Sequence, residues 1–129
     1  GLAEQELFVA VQEYLLQQLK LPYRVMMICT GDMGRPDARQ IDMETWMPAQ
    51  GTYRETHTAD YMTDYQTRRL MTRTRRGGRT ELVHTNDATA IAIGRILIAI
   101  MENYQNADGT ITIPKVLRPS MGGREVIGR

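Results

Sequence analysis

The stretch Ala88–Gln105 is apolar almost throughout, yet Arg95 stands in its middle. A guanidinium does not shed its proton, and burying one without a partner is costly. Read as a helix, the stretch puts Ala88, Ala92, Ala99 and Glu102 on the face of Arg95, small side chains where a core helix normally carries large ones. Gly94 beside it lets another backbone or a ligand come close. Glu102 is two turns off, about 10 Å along the axis, too far for a pair within the helix. Arg95 therefore needs a carboxylate from another element or an anionic ligand.

The carboxylates on offer are Asp42 and Glu44, two residues apart on one face of a strand, and Glu55 in Tyr53–Thr58. Acids facing an arginine suit magnesium with a polyphosphate, because oxygen ligands hold the metal and a guanidinium clamps phosphate. They equally suit a plain buried ion network. The chain has no glycine-rich phosphate loop of the Walker type, which excludes a P-loop site. One cysteine and two histidines exclude an intrachain disulfide and give no metal-ligand spacing. Cys29, in the run Val25–Thr30, reads as a small buried hydrophobe. The formal net charge of +1 excludes a bulk polycation, so contact with nucleic acid would need a local patch. Arg68, Arg69, Arg73, Arg75, Arg76 and Arg79 could form one, although no aromatics interleave them and a solvated rim around a turn is the simpler reading.

These residues need elements to hold them. Apolar residues at 42% and charged ones at 24% over 129 residues suit one globular domain, 1–129. No signal peptide or membrane span is readable, and a cytoplasmic setting is expected. Phe8, Val11, Leu15 and Leu19 predict an amphipathic helix over 1–20. Sheet and loops are expected over 21–87: a buried strand at Tyr23–Thr30, then Arg39–Pro48, where Ile41, Met43, Thr45 and Met47 alternate with Asp42, Glu44 and Trp46. An extended segment through Tyr53–Tyr61 follows. A short helix capped by Thr63 leads to a hairpin, Met71–Arg76 out and Thr80–Asn86 back around Gly77-Gly78. A helix over 88–105 and a short strand with a loose tail over 106–129 complete the order. The expected fold class is α+β: an antiparallel β-sheet with a buried C-terminal helix packed across it.

Taken together and in order, LPYRV (Leu21–Val25), CTGDMG (Cys29–Gly34), IDMETWMPAQGTYRE (Ile41–Glu55), DYQTRRL (Asp64–Leu70), VHTNDATAIAIGR (Val83–Arg95) and ENYQNADGTITIPKVLRPSMGG (Glu102–Gly123) resemble the C-terminal half of the seryl-tRNA synthetase catalytic domain, of class II. The resemblance implies a part of a serine–tRNA ligase, the enzyme that activates serine with ATP and Mg²⁺ and transfers it to tRNA. It makes the 88–105 stretch the third signature motif and Arg95 the clamp on the ATP γ-phosphate. It puts Glu55 and Thr58 at the magnesium and ATP positions, and Asp87 and Thr89 in the loop that borders serine. Thr56-His57-Thr58 replaces a serine-rich run, Asp87-Ala88-Thr89-Ala90 replaces Asn-Gly-Ser-Gly, and Ile96 replaces a threonine. The first and second signature motifs and the tRNA-gripping coiled coil have no counterpart in these residues. The expectations that follow are weak ATP binding, no tRNA charging by this chain alone (tRNA being a partner of the full-length parent) and self-association through sheet surface at Met26, Met43 and Met47. Two other readings stand beside this one: an engineered non-enzymatic folding or solubility model of that piece, and a paralogue serving as a partner-binding module.

Overall fold

Alternation on the second strand sets the architecture. The computed structural model describes residues 1–128. Helix α1 (Leu2–Leu19) leads into strands β1 (Tyr23–Met27), β2 (Arg39–Met47) and β3 (Thr52–Thr63). Then come the one-turn helix α2 (Thr67–Leu70), the hairpin β4 (Arg73–Arg76) and β5 (Arg79–Leu82), strand β6 (Thr85–Thr89) and helix α3 (Ile93–Asn103). A last small ribbon pairs β7 (Ile111–Thr112) with β8 (Val126–Ile127). The main sheet is antiparallel in the order β1-β2-β3-β6. This is the expected α+β class.

Ile41, Met43, Thr45 and Met47 are all buried on one side of β2. Against them pack Val9, Leu16 and Leu19 of α1 and Ile96 and Ala99 of α3. Both helices thus lie on one face of the sheet, and the other face is free for polar groups. α1 seats itself through side chains the apolar spacing did not single out. Its buried face is Gln5, Val9, Gln12, Leu16 and Leu19, whereas Val11 is exposed and Phe8 and Leu15 are half-buried. The Gln5 amide donates to the carbonyls of Arg39 (3.1 Å) and Ala59 (2.8 Å). The Gln12 amide donates to those of Thr58 (2.6 Å) and Thr89 (2.9 Å). Buried carbonyls demand donors, and meeting that demand turns the helix away from its most apolar stripe.

β3 is not regular. It carries an extra residue, Thr56, because Glu55 pairs with Glu44 while His57 pairs with Met43. Such a bulge shifts the side-chain alternation by one position. Thr56 is fully buried, shares a hydroxyl hydrogen bond with Thr45 (2.7 Å), and accepts the Ala92 amide on its carbonyl (3.0 Å). The bulge therefore fastens the start of α3 to the sheet.

Several expectations need correction. The helix expected over 88–105 begins only at Ile93, since Ala88 and Thr89 belong to β6, paired with β3. It is buried on one side alone: Ile93 is 70% and Leu97 51% exposed. β1 ends at Met27 and is an exposed edge strand, and Cys29 is exposed. Met43 and Met47 are core residues, which leaves Met26 as the exposed one of the three. The short helix starts after Gln66, with Thr63 still in β3. The return strand of the hairpin stops at Leu82, because Thr85 onward pairs with β3. The tail contributes β8 and two 3₁₀ turns. Each error came from local pattern where pairing partners decided the outcome.

Candidate functional site

The open face of the sheet carries the chemistry. On β2 it presents Gln40, Asp42 and Glu44, turned away from the buried Ile41 and Met43. Across the ladder Glu55 lies opposite Glu44 and Thr58 opposite Asp42. Asp87 and Thr89 of β6 stand opposite Asp60 and Thr58. In a regular strand residues three apart face opposite sides, so the Thr56 bulge is what puts Glu55 and Thr58 on one face.

Carboxylates directly opposite each other repel. Here each has its own cation: Arg24 of β1 bonds Glu44 and lies over the Tyr53 ring at 4.8 Å, and Arg95 bonds Glu55. One Arg95 nitrogen donates to both the carboxylate and the backbone carbonyl of Glu55, each at 2.9 Å. Glu44, Tyr53, Glu55 and Arg95, with Met47, Gln50, Arg54 and Ile98, line a cleft of about 480 Å³, a volume suited to a small organic ligand.

The start of α3 aims at the same ligand chemistry. Its N-cap is Ala92, which offers no side-chain acceptor to the free N–H groups of the first turn. Arg95 is the third residue of that helix, where the macrodipole disfavours a cation. A helix that starts uncapped and adds a guanidinium there gains when an anion binds.

Farther along the face, acids crowd without such partners. Burial raises the Asp42 and Asp37 carboxyls above their usual range, and neighbouring negative charges, including Asp87 beside Asp37, push the same way. Asp60 is pushed up to about 6, chiefly by burial, with a Thr58 hydroxyl bond (3.0 Å) opposing and Asp37, Asp42 and Asp87 reinforcing the rise. Such a patch favours protons or a bound cation. Desolvation pushes the pKa of His57, buried on the core side, below the usual imidazole value.

Of the residues singled out from sequence, Arg95 and Glu55 are in contact. Thr58, Asp87 and Thr89 share their sheet face but do not line the cleft. Arg24, Tyr53 and Asp60 were missed. A charged residue inside the apolar run Tyr23–Cys29 was the available signal for Arg24. Among the described residues no group of three or more His, Cys, Asp or Glu is arranged to hold a metal ion. Magnesium does not require one, since it keeps waters and takes one or two protein oxygens beside substrate phosphates. The Glu55 carboxylate with the Thr58 hydroxyl on the same face is a donor set of that kind.

Residues 4–104 match the family model of the tRNA synthetase class II core domain (G, H, P, S and T). The chain is 58% identical over 115 residues to a serine–tRNA ligase of a Psychrobacter species, and 54% identical to that of Psychrobacter arcticus. Each alignment covers 89% of this chain and 27% of the relative, so the chain spans about a quarter of their length. Its fold superposes on the crystal structure of seryl-tRNA synthetase from Pyrococcus horikoshii complexed with ATP (TM-score 0.92, 45% identity, 97% of this chain and 28% of that one). It also superposes on the cytoplasmic serine–tRNA ligase of Naegleria fowleri in complex with AMP (TM-score 0.89, 36% identity, 97% and 30%).

Proposed function

We propose, from the premise that this chain belongs to the class II tRNA synthetase core-domain family, that its open sheet face is the ATP- and serine-binding part of a serine–tRNA ligase site. The observation that carries the reading is the Arg95 guanidinium held against Glu55 at the uncapped start of α3. Both side chains are about half exposed, at 55% and 43%, so their ion pair is worth at most about 1 kcal/mol and opens easily to a stronger anion. Arg95 then turns to the γ-phosphate of ATP. Glu55 and Thr58 are the side chains that hold Mg²⁺, and the metal supplies the charge that lets a polyphosphate approach an acidic face. Asp87 and Thr89 border the serine, whose ammonium the acidic patch around Asp60 and Asp87 would favour.

In this reading the protein's own groups position and neutralise; none acts as a nucleophile. Activation is attack of the serine carboxylate on the ATP α-phosphate, and catalysis of that sort rests on placement and charge stabilisation. A cytoplasmic setting and tRNA as the final acceptor belong to the same proposal, through the relatives. Self-association belongs to it as well, supported by the exposed apolar side chains on α1 and α3.

Calorimetric titration with ATP tests the reading. With Mg²⁺ a millimolar dissociation constant is expected, about −4 kcal/mol, because one arginine and one acidic site make few contacts. Binding should vanish with chelator and in Arg95→Ala. Micromolar binding that is unchanged in Arg95→Ala would contradict the assignment.

A further inference from the structure

The six arginines between Arg68 and Arg79 have no part in the ATP and serine site. Between residues 68 and 82 the sequence holds a single acid, Glu81, in a chain whose net charge is only +1, so the remaining residues are net acidic. The hairpin β4–β5 carries four of them and makes no more than marginal contact with the rest of the fold. Arg68 and Arg69 are occupied, the first with Asp64 and the second stacked on Tyr65. Arg76 reaches Glu81 at 3.5 Å. Arg73, Arg75 and Arg79 are exposed and make no ion pair or side-chain hydrogen bond among the described residues.

The ladder makes this arrangement unfavourable for the hairpin alone. Arg76 pairs directly with Arg79, like charges face to face, in a two-stranded ribbon that has little stability of its own. Arg73, Arg75 and Thr80 share the other face, with the Cα atoms of the two arginines about 7 Å apart. At the tip Gly77 and Gly78 both hold positive φ (54° and 79°), leaving a turn free of side chains that a bulky backbone can approach. An anionic chain relieves the repulsion and is met by forked donors suited to phosphate. The tip carries no apolar residue to enter a bilayer.

We propose that the β4–β5 hairpin is a docking arm for the RNA phosphate backbone, gripped by Arg73 and Arg75 on one face and by Arg79 at the tip on the other. The choice of RNA rests on the serine–tRNA ligase reading, with one local support: the exposed Thr80 stands directly across the ladder from Arg75, on the face it shares with Arg73, where a 2′-hydroxyl can be met. The arm is separate from the Glu55–Arg95 cleft, so the two can fail independently.

The test is fluorescence anisotropy with labelled bulk transfer RNA at several salt concentrations. The triple variant Arg73→Ala/Arg75→Ala/Arg79→Ala should bind roughly tenfold or more weakly at low salt, with a shallower salt dependence. The exposed Arg124→Ala should bind as wild type does. Circular dichroism melts check that the triple variant folds. A duplex DNA of equal length should bind several-fold more weakly. Equal weakening in Arg124→Ala, equal DNA binding, or capture of phosphatidylserine vesicles in preference to RNA would each overturn the proposal. ATP binding retained in the triple variant while RNA binding persists also sinks the arm and leaves the ATP reading standing. RNA binding that depends on the arm in a protein that does not bind ATP upholds the arm and removes that reading.

Discussion

At the scale of single residues, Arg95 and Glu55 were legible because a guanidinium in an apolar run demands a partner. Asp60 was not, since its environment is assembled from β2, β6 and the Asp37 turn, and no local spacing reveals that. Its pH behaviour follows from its pKa. A carboxyl raised from 3.8 to about 6 in the folded state contributes stability that is full below its unfolded value and is lost as pH climbs through the folded one. The loss across about pH 4 to 7 is at most about 3 kcal/mol. Asp60→Asn keeps an acceptor for Thr58 and removes the charge. Thermal melts are expected to show the variant more stable than wild type at pH 7.5 and indistinguishable near pH 4. A variant less stable at pH 7.5 would mean that the Asp60 charge has a favourable partner.

Elements show why pattern reading went part of the way. β2 was read correctly because one buried face imposes strict alternation on it. β1 was not, since an edge strand exposes apolar side chains that sequence alone assigns to a core. The start of α3 was misplaced because Ala88 and Thr89 suit a helix locally, and only the ladder with β3 makes them a strand. The orientation of α1 depends on two glutamines whose donors serve four strand carbonyls, a need that exists only once the sheet is formed. Gln12→Met preserves length and removes the donor, orphaning the carbonyls of Thr58 and Thr89. Urea unfolding should show a loss of about 1–3 kcal/mol. A change below about 0.5 kcal/mol would show that water replaces the amide there.

For the whole molecule, placing both helices on one face leaves their outer sides without cover. Tyr14, Leu15, Ile93, Leu97 and Val116 line an apolar groove between α1 and α3, and Tyr14 is 58% exposed. At the far edge of the sheet β1 offers unpaired backbone beside Val25, Met26 and Met27. Surfaces of this kind associate. Sedimentation velocity should show a concentration-dependent rise in mass, reduced in Leu97→Glu. A monomer at every soluble concentration would show that these surfaces are too small or too divided to act. The α+β class was legible from short links and one strongly alternating strand, whereas the groove was not, because it arises from two helices far apart in the chain.

The extra residue in β3 makes the chain tolerant of an unusual lesion. Losing one residue from a strand normally inverts every side chain beyond the gap. Without Thr56 the partners on either side, Glu55 with Glu44 and His57 with Met43, fall into unbroken register, so the sheet would close over the gap with both halves facing as before. The tether to Ala92 would go. A ΔThr56 protein is therefore expected to fold, to keep the strand pairing seen in hydrogen exchange, and to lose magnesium-dependent ATP binding because Arg95 is no longer anchored. To the sheet it would be the same strand, and to the helix a different one.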